Sequence, residues 1–184
     1  MNYYLLQPDR DDPDSAAIGG VPESVEPLDW NSGKKLDGPQ GVLRLPLSPV
    51  SGPVLGDVIG SLVTVFSDDL KNALTSFGID NIDYYPVELE DTTTQQVHAG
   101  FWLVNILGRV NCVDTARSTI IPRPSGSKGV LKSFQVDAKR TGGLHLFRLD
   151  EKPTLIVIDE PLWSFLMTQP MNGVILPSTD KYDG

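Results

Sequence analysis

The chain has 184 residues, of which 40% are hydrophobic and 21% are charged, so it can form one domain with a sizeable core and is not disordered throughout. Its formal net charge is −9, and the negative charge is concentrated in residues 1–91, whose net charge is −11, whereas residues 92–184 carry +2. Because affinity for nucleic acids depends on cations that contact phosphates, this balance excludes a nucleic-acid partner and favours either a basic protein partner or simple solubility.

The N-terminal part of the chain is rich in residues that form turns. Residues 3–6 favour a short strand, because aromatic and branched side chains suit a half-buried sheet. Prolines and like charges then exclude regular structure in residues 8–14, and the chain is loop-like from there to about Gly41. A loop of this length either wraps the core, with Leu28 and Trp30 as its anchors, or is partly mobile. Residues 42–47 follow as an edge strand, since they include a proline.

A strand and a capped helix come next. Residues 62–66 are apolar and favour a strand. Ser67 is a suitable N-cap and Gly78 a suitable C-cap for a helix over residues 68–77, whose apolar side chains recur at helical spacing. In residues 85–89 apolar and polar side chains alternate, which predicts a half-buried strand.

A second segment repeats this order of elements. Residues 154–158 form a continuous apolar run, which is typical of an interior strand. Asp159 can cap a following helix, since Pro161 suits its first turn and Leu162 begins an inward face. Residues 173–177 then favour another strand. The repetition indicates either an internal pseudo-repeat or two unrelated strand–helix–strand units, which would give the same pattern.

The most concentrated apolar segment lies between these two units. Residues 101–114 contain the only cysteine and end in a polar turn, so they predict a central strand pair that holds the two units together. Residues 130–136 and 144–149 are further candidate strands. The Gly-Gly pair at residues 142–143 suits a hairpin-like reversal between them.

Together these elements predict an α+β fold. We expect a single domain over residues 1–184, with mixed, mostly antiparallel sheets, a few short helices and two similar strand–helix–strand units. Within that domain, residues 1–41 are expected to form a loop-rich N-terminal wrap and residues 42–184 the main α+β core.

A thiol nucleophile is the first catalytic possibility to weigh. Cys112 with His98 or His145 and with Asp114 would supply the residue types of a nucleophile, a base and an orienting group. Their spacing matches no known signature, and Cys112 lies in an apolar strand, so a buried and inert thiol is the favoured interpretation. Two isolated histidines do not predict a metal site.

Neighbouring carboxylates offer a second possibility. Asp68 with Asp69, and Asp159 with Glu160, could act as a general acid and base. Their positions at helix starts explain them more simply as caps and as partners of the helix dipole. The glycines form neither a dinucleotide-binding nor a phosphate-binding motif. We therefore expect no enzyme activity and no cofactor.

Asp114 and Arg148 each lie at the end of an apolar segment, where charges are seldom left unpaired. We expect a partly buried ion pair between them, a structural polar centre that orders the central turn. A pocket near Asp114, Arg117 and Arg148 would support an alternative function, that of an enzyme or a small-molecule-binding module. A self-associating scaffold is a third possibility.

The compartment is expected to be the cytoplasm, because one cysteine cannot form an internal disulfide. Residues 1–9 have no basic region and too short an apolar run for a signal peptide. The longest apolar candidate for a membrane span, around residues 101–107, is stopped by Arg109. We therefore expect no membrane partner.

A set of core positions across most of the chain forms a recognisable pattern, which consists of Asn2-Tyr3-Tyr4-Leu5-Leu6, Phe101-Trp102-Leu103-Val104-Asn105-Ile106, Val110-Asn111-Cys112-Val113-Asp114, Ser118, Leu146-Phe147-Arg148 and Gly173-Val174. This pattern resembles that of immunity protein family eleven of bacterial polymorphic toxin systems. Members often have Asp-Cys where this chain has Asn111-Cys112, so that first carboxylate is not required for chemistry. The resemblance implies that the chain neutralises a cognate toxin by binding it and covering its active site.

An acidic face would suit a basic toxin surface, such as that of a nuclease, because carboxylates can stand in for phosphates. The candidate contact residues form two groups in the acidic half, which are Asp9, Asp11, Asp12 and Asp14, and then Asp80, Asp83, Glu88, Glu90 and Asp91. Trp163 and Met167 lie one helical turn apart and are either an apolar anchor or, as the favoured interpretation, core residues.

Overall fold

The computed structural model of the chain describes residues 1–60, 63–122 and 129–184. Within these ranges the strands of the first half are β1 (Tyr3–Leu5), β2 (Gln7–Pro8), β3 (Leu43–Pro46), β4 (Val58–Gly60), β5 (Thr64–Ser67), β6 (Ile82–Asp91) and β7 (Gln96–Ile106). The later strands are β8 (Arg109–Val110), β9 (Thr119–Ile121), β10 (Val130–Ser133), β11 (Leu146–Leu149), β12 (Lys152–Asp159) and β13 (Val174–Ile175). The α-helices are α1 (Pro27–Trp30), α2 (Asp68–Phe77) and α3 (Glu160–Leu166).

Two larger sheets and two ribbons organise these strands. One sheet has five strands in the order β3-β6-β7-β5-β4, and the other has four strands in the order β1-β12-β11-β8. The ribbons pair β9 with β10 and β2 with β13. Parallel pairing joins β3 to β6 and β8 to β11, while the other described pairs of named strands are antiparallel. The predicted α+β class with mixed, mostly antiparallel sheets is confirmed.

The first strand–helix–strand unit follows the local signals of the sequence. The backbone N–H of Leu70 donates to Ser67 Oγ (3.1 Å), which caps α2 at its start. At the other end Gly78 has a φ of +103°, and its N–H donates to Thr75 O (3.0 Å). The helix therefore has the predicted bounds. Leu62, the first residue of the predicted preceding strand, lies outside the described residues.

The second unit has the same order of elements, but its two strands, β12 and β13, belong to different sheets. Asp159 caps α3, because its Oδ1 accepts the N–H of Leu162 (3.1 Å). Both edges of β12 are already occupied, one by β1 and the other by β11. The strand after α3 therefore cannot pair with β12, and β13 pairs with β2 instead. The segment that follows β13 does reach the outer edge of β1, where the N–H of Leu5 donates to Pro177 O (2.8 Å).

The apolar stretch over residues 101–114 connects the two sheets and is not the predicted strand pair. Strand β7 is the centre of the five-stranded sheet, whereas β8 is an edge of the four-stranded sheet. Gly108, with a φ of +108°, lies between them, a conformation that glycine adopts without strain. The predicted hairpin at residues 142–143 is also absent, because β10 pairs with β9 while β11 pairs with β12.

Apolar side chains form three clusters, one between the sheets and one on each outer face. The inner cluster joins Phe66 and Leu70 of the first unit to Ile158 and Leu162 of the second. The N-terminal segment covers the outer face of the five-stranded sheet with side chains such as Trp30. The segment around Cys112 and residues 131–136 covers the outer face of the four-stranded sheet.

The two predicted anchors of the N-terminal segment have different environments. Trp30 is 4% exposed and meets the ring of Tyr85 edge-on, with 5.2 Å between the ring centres. Leu28 is 79% exposed, so its prediction as an anchor is wrong. Both residues lie in the single turn of α1, where side chains two positions apart point to opposite sides. In the described ranges, no helix is long and apolar enough to cross a lipid bilayer.

Candidate functional site

The thiol is not available for catalysis. Cys112 is fully buried, and this burial raises the pKa of its thiol to about 12. His145 Nδ1 lies 2.7 Å from Asp159 Oδ2, and His98 lies opposite Leu89 in the five-stranded sheet. A protonated, buried thiol cannot act as a nucleophile, so the structure agrees with the interpretation of an inert cysteine.

The predicted ion pair between Asp114 and Arg148 is not formed. Asp114 Oδ2 instead accepts a hydrogen bond from Arg117 Nε (2.6 Å), and this contact lowers the pKa of the Asp114 carboxyl. Arg148 lies opposite Ile156 on the inner face of its sheet and is fully buried. Asp114 belongs to a surface turn, so the two side chains occupy different layers. The two cavities described below are lined by other residues, not by Asp114, Arg117 or Arg148.

The carboxylate pairs at the helix starts have structural partners. Asp68 Oδ1 accepts a hydrogen bond from the indole N–H of Trp102 (2.5 Å). Asp159 caps α3 and contacts His145, as described above. Glu160 accepts hydrogen bonds from the backbone N–H and the side-chain amide of Asn2 (3.2 and 3.1 Å), which lower the pKa of its carboxyl. These contacts support structural roles for the carboxylates.

The first predicted acidic group forms a turn over residues 9–14. Asp9 Oδ1 accepts the N–H of Asp11 (3.2 Å), and Asp12 Oδ1 accepts the N–H of Asp14 (2.9 Å). The Asp9 and Asp12 carboxylates therefore hold the turn, while Asp11 and Asp14 are exposed. This local bonding keeps four carboxylates close together on the surface.

The second predicted acidic group is divided by β6. Asp83 and Asp91 lie on one face of this strand, and Glu88 and Glu90 lie on the other, because successive side chains alternate. Asp80 precedes the strand, and Asp83 lies 3.6 Å from Lys35 Nζ near its start. A strand of this length spans about 30 Å, so Asp80 and Asp83 are far from the acidic residues at its other end.

Residues 47–54 bring the turn and the far end of β6 to the same part of the molecule. The N–H of Val54 donates to Asp14 O (2.8 Å), and the N–H of Leu47 donates to Glu90 O (2.8 Å). Gly52 lies so close to the backbone of Asp14 that a Cβ there would clash. We call this surface the acidic end; it consists of residues 47–54 with Asp9, Asp11, Asp12, Asp14, Glu88, Glu90 and Asp91.

The acidic end also exposes an apolar side chain that the sequence analysis missed. Val50 is 93% exposed and lies on residues 47–54, between the two groups of carboxylates. Pro49, Gly52 and Pro53 could have indicated an exposed loop there. Arg44 Nη2 lies 2.8 Å from Glu88 Oε2 and neutralises one of the carboxylates. The surface is therefore acidic with an exposed apolar side chain at Val50.

Asp91 completes the acidic end. Asp91 accepts hydrogen bonds from the backbone of Thr93 and from the hydroxyl of Thr94, and these lower the pKa of its carboxyl. It is therefore charged at neutral pH.

The two apolar residues that the sequence singled out in α3 and at its C-cap have different environments. Trp163 stacks on Tyr4 with 4.5 Å between ring centres, so it has a structural partner. Met167 is 60% exposed, so its interpretation as a core residue is wrong.

A cavity lies beside the start of α2. It has a volume of about 360 Å³, and Asp57, Asp68 and Asp69 contribute to its wall. Asp57 is 6% exposed and accepts hydrogen bonds from Ser67 Oγ and from the N–H of Asn172. No group of three or more histidine, cysteine or carboxylate side chains in the described ranges has an arrangement suited to a metal ion.

Comparison with protein families gives one finding. The model of a family described as Immunity protein family (Imm11) matches residues 8–178. That range includes the acidic turn, both larger sheets apart from β1, and both capped helices. The search of curated proteins finds no match.

Proposed function

Because this chain belongs to the immunity protein family Imm11, and so has the role of an immunity protein, we propose that it binds a cognate bacterial toxin directly and covers the toxin's active site. The contact surface in this proposal is the acidic end. A toxin with a basic surface, such as a nuclease, fits that charge best. The chain itself performs no chemistry in this mechanism; it neutralises the toxin by excluding its substrate.

The observation that carries the proposal is the convergence of carboxylates from distant parts of the chain. Asp11 and Asp14 come from the N-terminal turn, and Glu90 and Asp91 come from the end of β6. Residues 47–54 hydrogen-bond to both groups. Like charges placed together repel each other, so such an arrangement lowers the stability of the free chain unless a basic partner offsets it. A nuclease active site, which binds phosphates, is a partner of suitable charge.

The shape of the acidic end also suits an exposed contact. The first half of β7 and the turn before it are exposed, whereas the second half of β7 is buried in the sheet. The β6–β7 hairpin therefore extends beyond the core at the end where Glu90 and Asp91 lie. Val50 adds an apolar contact that a partner would bury.

Asp80 and Asp83 also belong to the acidic set that the sequence analysis predicted for partner binding. They lie at the opposite end of β6, and Asp83 is already paired with Lys35. We therefore place the centre of the contact on the acidic end and treat Asp80 as a comparison site. This separation makes the proposal testable with variants of equal charge.

Co-expression with the adjacent toxin gene tests the function. The toxin alone should stop growth of the host cell, and this chain should restore growth and co-purify with the toxin as a stable complex. A variant of the toxin that lacks activity should still co-purify, because the proposal requires contact and no chemistry. Growth arrest that persists despite full expression of this chain, without any co-purified toxin, would contradict the proposal.

A further inference from the structure

A large cavity lies at the junction between the two sheets and the chain termini. Its volume is about 590 Å³, which is in the range of small-molecule sites. Strand β1, the β4–β5 region, the start of β12 and the C-terminal segment form its walls. Much of the wall is apolar and includes Leu5, Leu6, Val58, Val63, Leu155 and Ile156. Such a wall would bury the body of an apolar ligand.

Three cations also line this cavity, which is unexpected in an acidic protein. Arg10, Lys152 and Lys181 contribute to its wall. Six other cationic side chains form ion pairs with carboxylates, and these are Lys35, Arg44, Arg109, Arg117, Lys132 and Arg140. Among the described residues, no carboxylate pairs in this way with the three cations of the cavity. Their charge is therefore available to a ligand.

Two carboxylate side chains of the wall, Asp11 and Asp183, oppose these three cations. Asp183 lines the cavity, but its Oδ1 lies 2.9 Å from Lys132 Nζ. Lys132 also approaches Gly184 at the rim. Asp11 is the remaining carboxylate side chain of the wall. Arg10 Nη2 donates to Gly60 O (3.3 Å), and Lys152 Nζ donates to the hydroxyl of Tyr182, so both cations have neutral partners.

A fourth cation lies directly behind the wall. Arg148 Nη2 donates to Thr64 Oγ1 (3.3 Å), and Thr64 lines the cavity. Arg148 Nη1 donates to Pro153 O (3.0 Å), while its Nε has no hydrogen-bond partner among the described residues. A fully buried guanidinium without a carboxylate partner is costly, and an anion in the cavity would offset part of that cost.

We propose that this cavity binds a small organic anion with an apolar body. The anionic group would lie near Lys152 and Lys181. The hydroxyl of Thr64, which accepts a hydrogen bond from Arg148, would donate one to the anionic group. The apolar body would lie against Leu155 and the side chains around it. This site borders the acidic end at Asp11 but has the opposite charge preference, so it is independent of the proposed toxin contact.

A pair of fluorescent probes tests the proposal with the full chain. 1-Anilinonaphthalene-8-sulfonate has an aromatic body and a sulfonate, and N-phenyl-1-naphthylamine has the same body without the charge. We expect the sulfonate to bind the native chain with saturation at one probe per chain, and the uncharged probe to bind more weakly. The K152Q/K181Q variant should raise the dissociation constant of the sulfonate by about tenfold, which corresponds to the loss of one good charge-assisted contact.

The matched control is the K34Q/K139Q variant. Lys34 and Lys139 are exposed, lie away from the cavity wall, and give the same loss of two positive charges. This control should leave the dissociation constant unchanged, and circular dichroism should show that both variants fold as the wild type does. In the wild type, added salt should weaken binding of the sulfonate and leave the uncharged probe unaffected. Absence of saturable binding, equal binding of the two probes, or equal effects of the two variants would overturn the proposal.

Discussion

At the scale of single residues, burial determines the chemical properties of Cys112 and Arg148, which the sequence singled out as candidates for a functional role. Cys112 carries the only thiol of the chain, but burial keeps that thiol protonated, and the nearby carboxylates of Glu151 and Asp137 also raise its pKa. Arg148 was expected in a partly buried ion pair with Asp114, yet it faces the inner core without that partner. Sequence alone identified both residues as unusual. It could not give their partners, because those come from strands far away in the chain, such as Thr64 for Arg148.

The first prediction concerns the reactivity of Cys112. Because the thiol is fully buried, a disulfide reagent that absorbs on reaction should label the native chain very slowly at pH 8 and label it at once in denaturant. The folded-state pKa, about 12, lies above the ordinary value of 9.0. The contribution of the neutral thiol to stability is therefore complete below pH 9.0 and is lost as the pH rises through about 12. Rapid labelling of the native chain would contradict this account.

The second prediction concerns Arg148. Burial lowers the pKa of its guanidinium to about 10, which shows that the folded state holds the charge at a cost. Replacement of buried ion pairs by apolar residues of similar volume is often neutral or stabilising, by about 1–4 kcal/mol, and among the described residues no carboxylate pairs with Arg148 to offset the cost of its burial. The R148M variant should therefore be at least as stable in urea as the wild type.

The R148A variant provides the contrast, because it removes the charge and also leaves a cavity. It should lose about 2–5 kcal/mol of the free energy of unfolding, as other large-to-alanine changes in cores do. If R148M were as unstable as R148A, the hydrogen bonds of Arg148 to Pro153 and Thr64 would be worth more than its desolvation costs.

At the scale of elements, local signals predicted the two capped helices, α2 and α3, better than α1 or the strand pairings. The bounds of α2 follow from Ser67, Gly78 and the apolar spacing between them, all of which are close in sequence. The pairing partners of β8 and β13 depend on which strand edges are already occupied, and that information is spread over the whole chain. The predicted strand pair in residues 101–114 was wrong for this reason.

The third prediction concerns the cap of α2. Ser67 Oγ accepts the N–H of Leu70 and also donates to Asp57 Oδ1, which belongs to a buried carboxylate. The S67A variant should therefore lose more than the usual cap contribution of about 1 kcal/mol, as measured by urea unfolding. Ser76 lies in the same helix, and S76A removes only a bond to Ala73 O, so its change should stay within about 0.5 kcal/mol. Equal losses in both variants would contradict the double role of Ser67.

At the scale of the whole molecule, two packed sheets position a charged surface whose location could not be predicted from the sequence. Asp80 and Asp91 belong to one acidic run in the sequence, but they lie near opposite ends of β6. Asp14 and Glu90 are distant in the sequence, but residues 47–54 bring them together. The acidic character was predictable from composition, whereas the location of the acidic end required the fold. The family membership gives this surface its proposed partner.

The most direct test of this account is the association rate constant of the purified chain with the toxin from the adjacent gene. The D14K/E90K variant should associate at least about tenfold more slowly at low salt, and the difference should shrink as salt is added. The D37K/D80K variant carries the same change of net charge near the opposite end of β6, where residues 36–38 contact Tyr85, and should associate at nearly the wild-type rate. Equal slowing by the two variants, or no slowing by D14K/E90K, would contradict the central role of the acidic end.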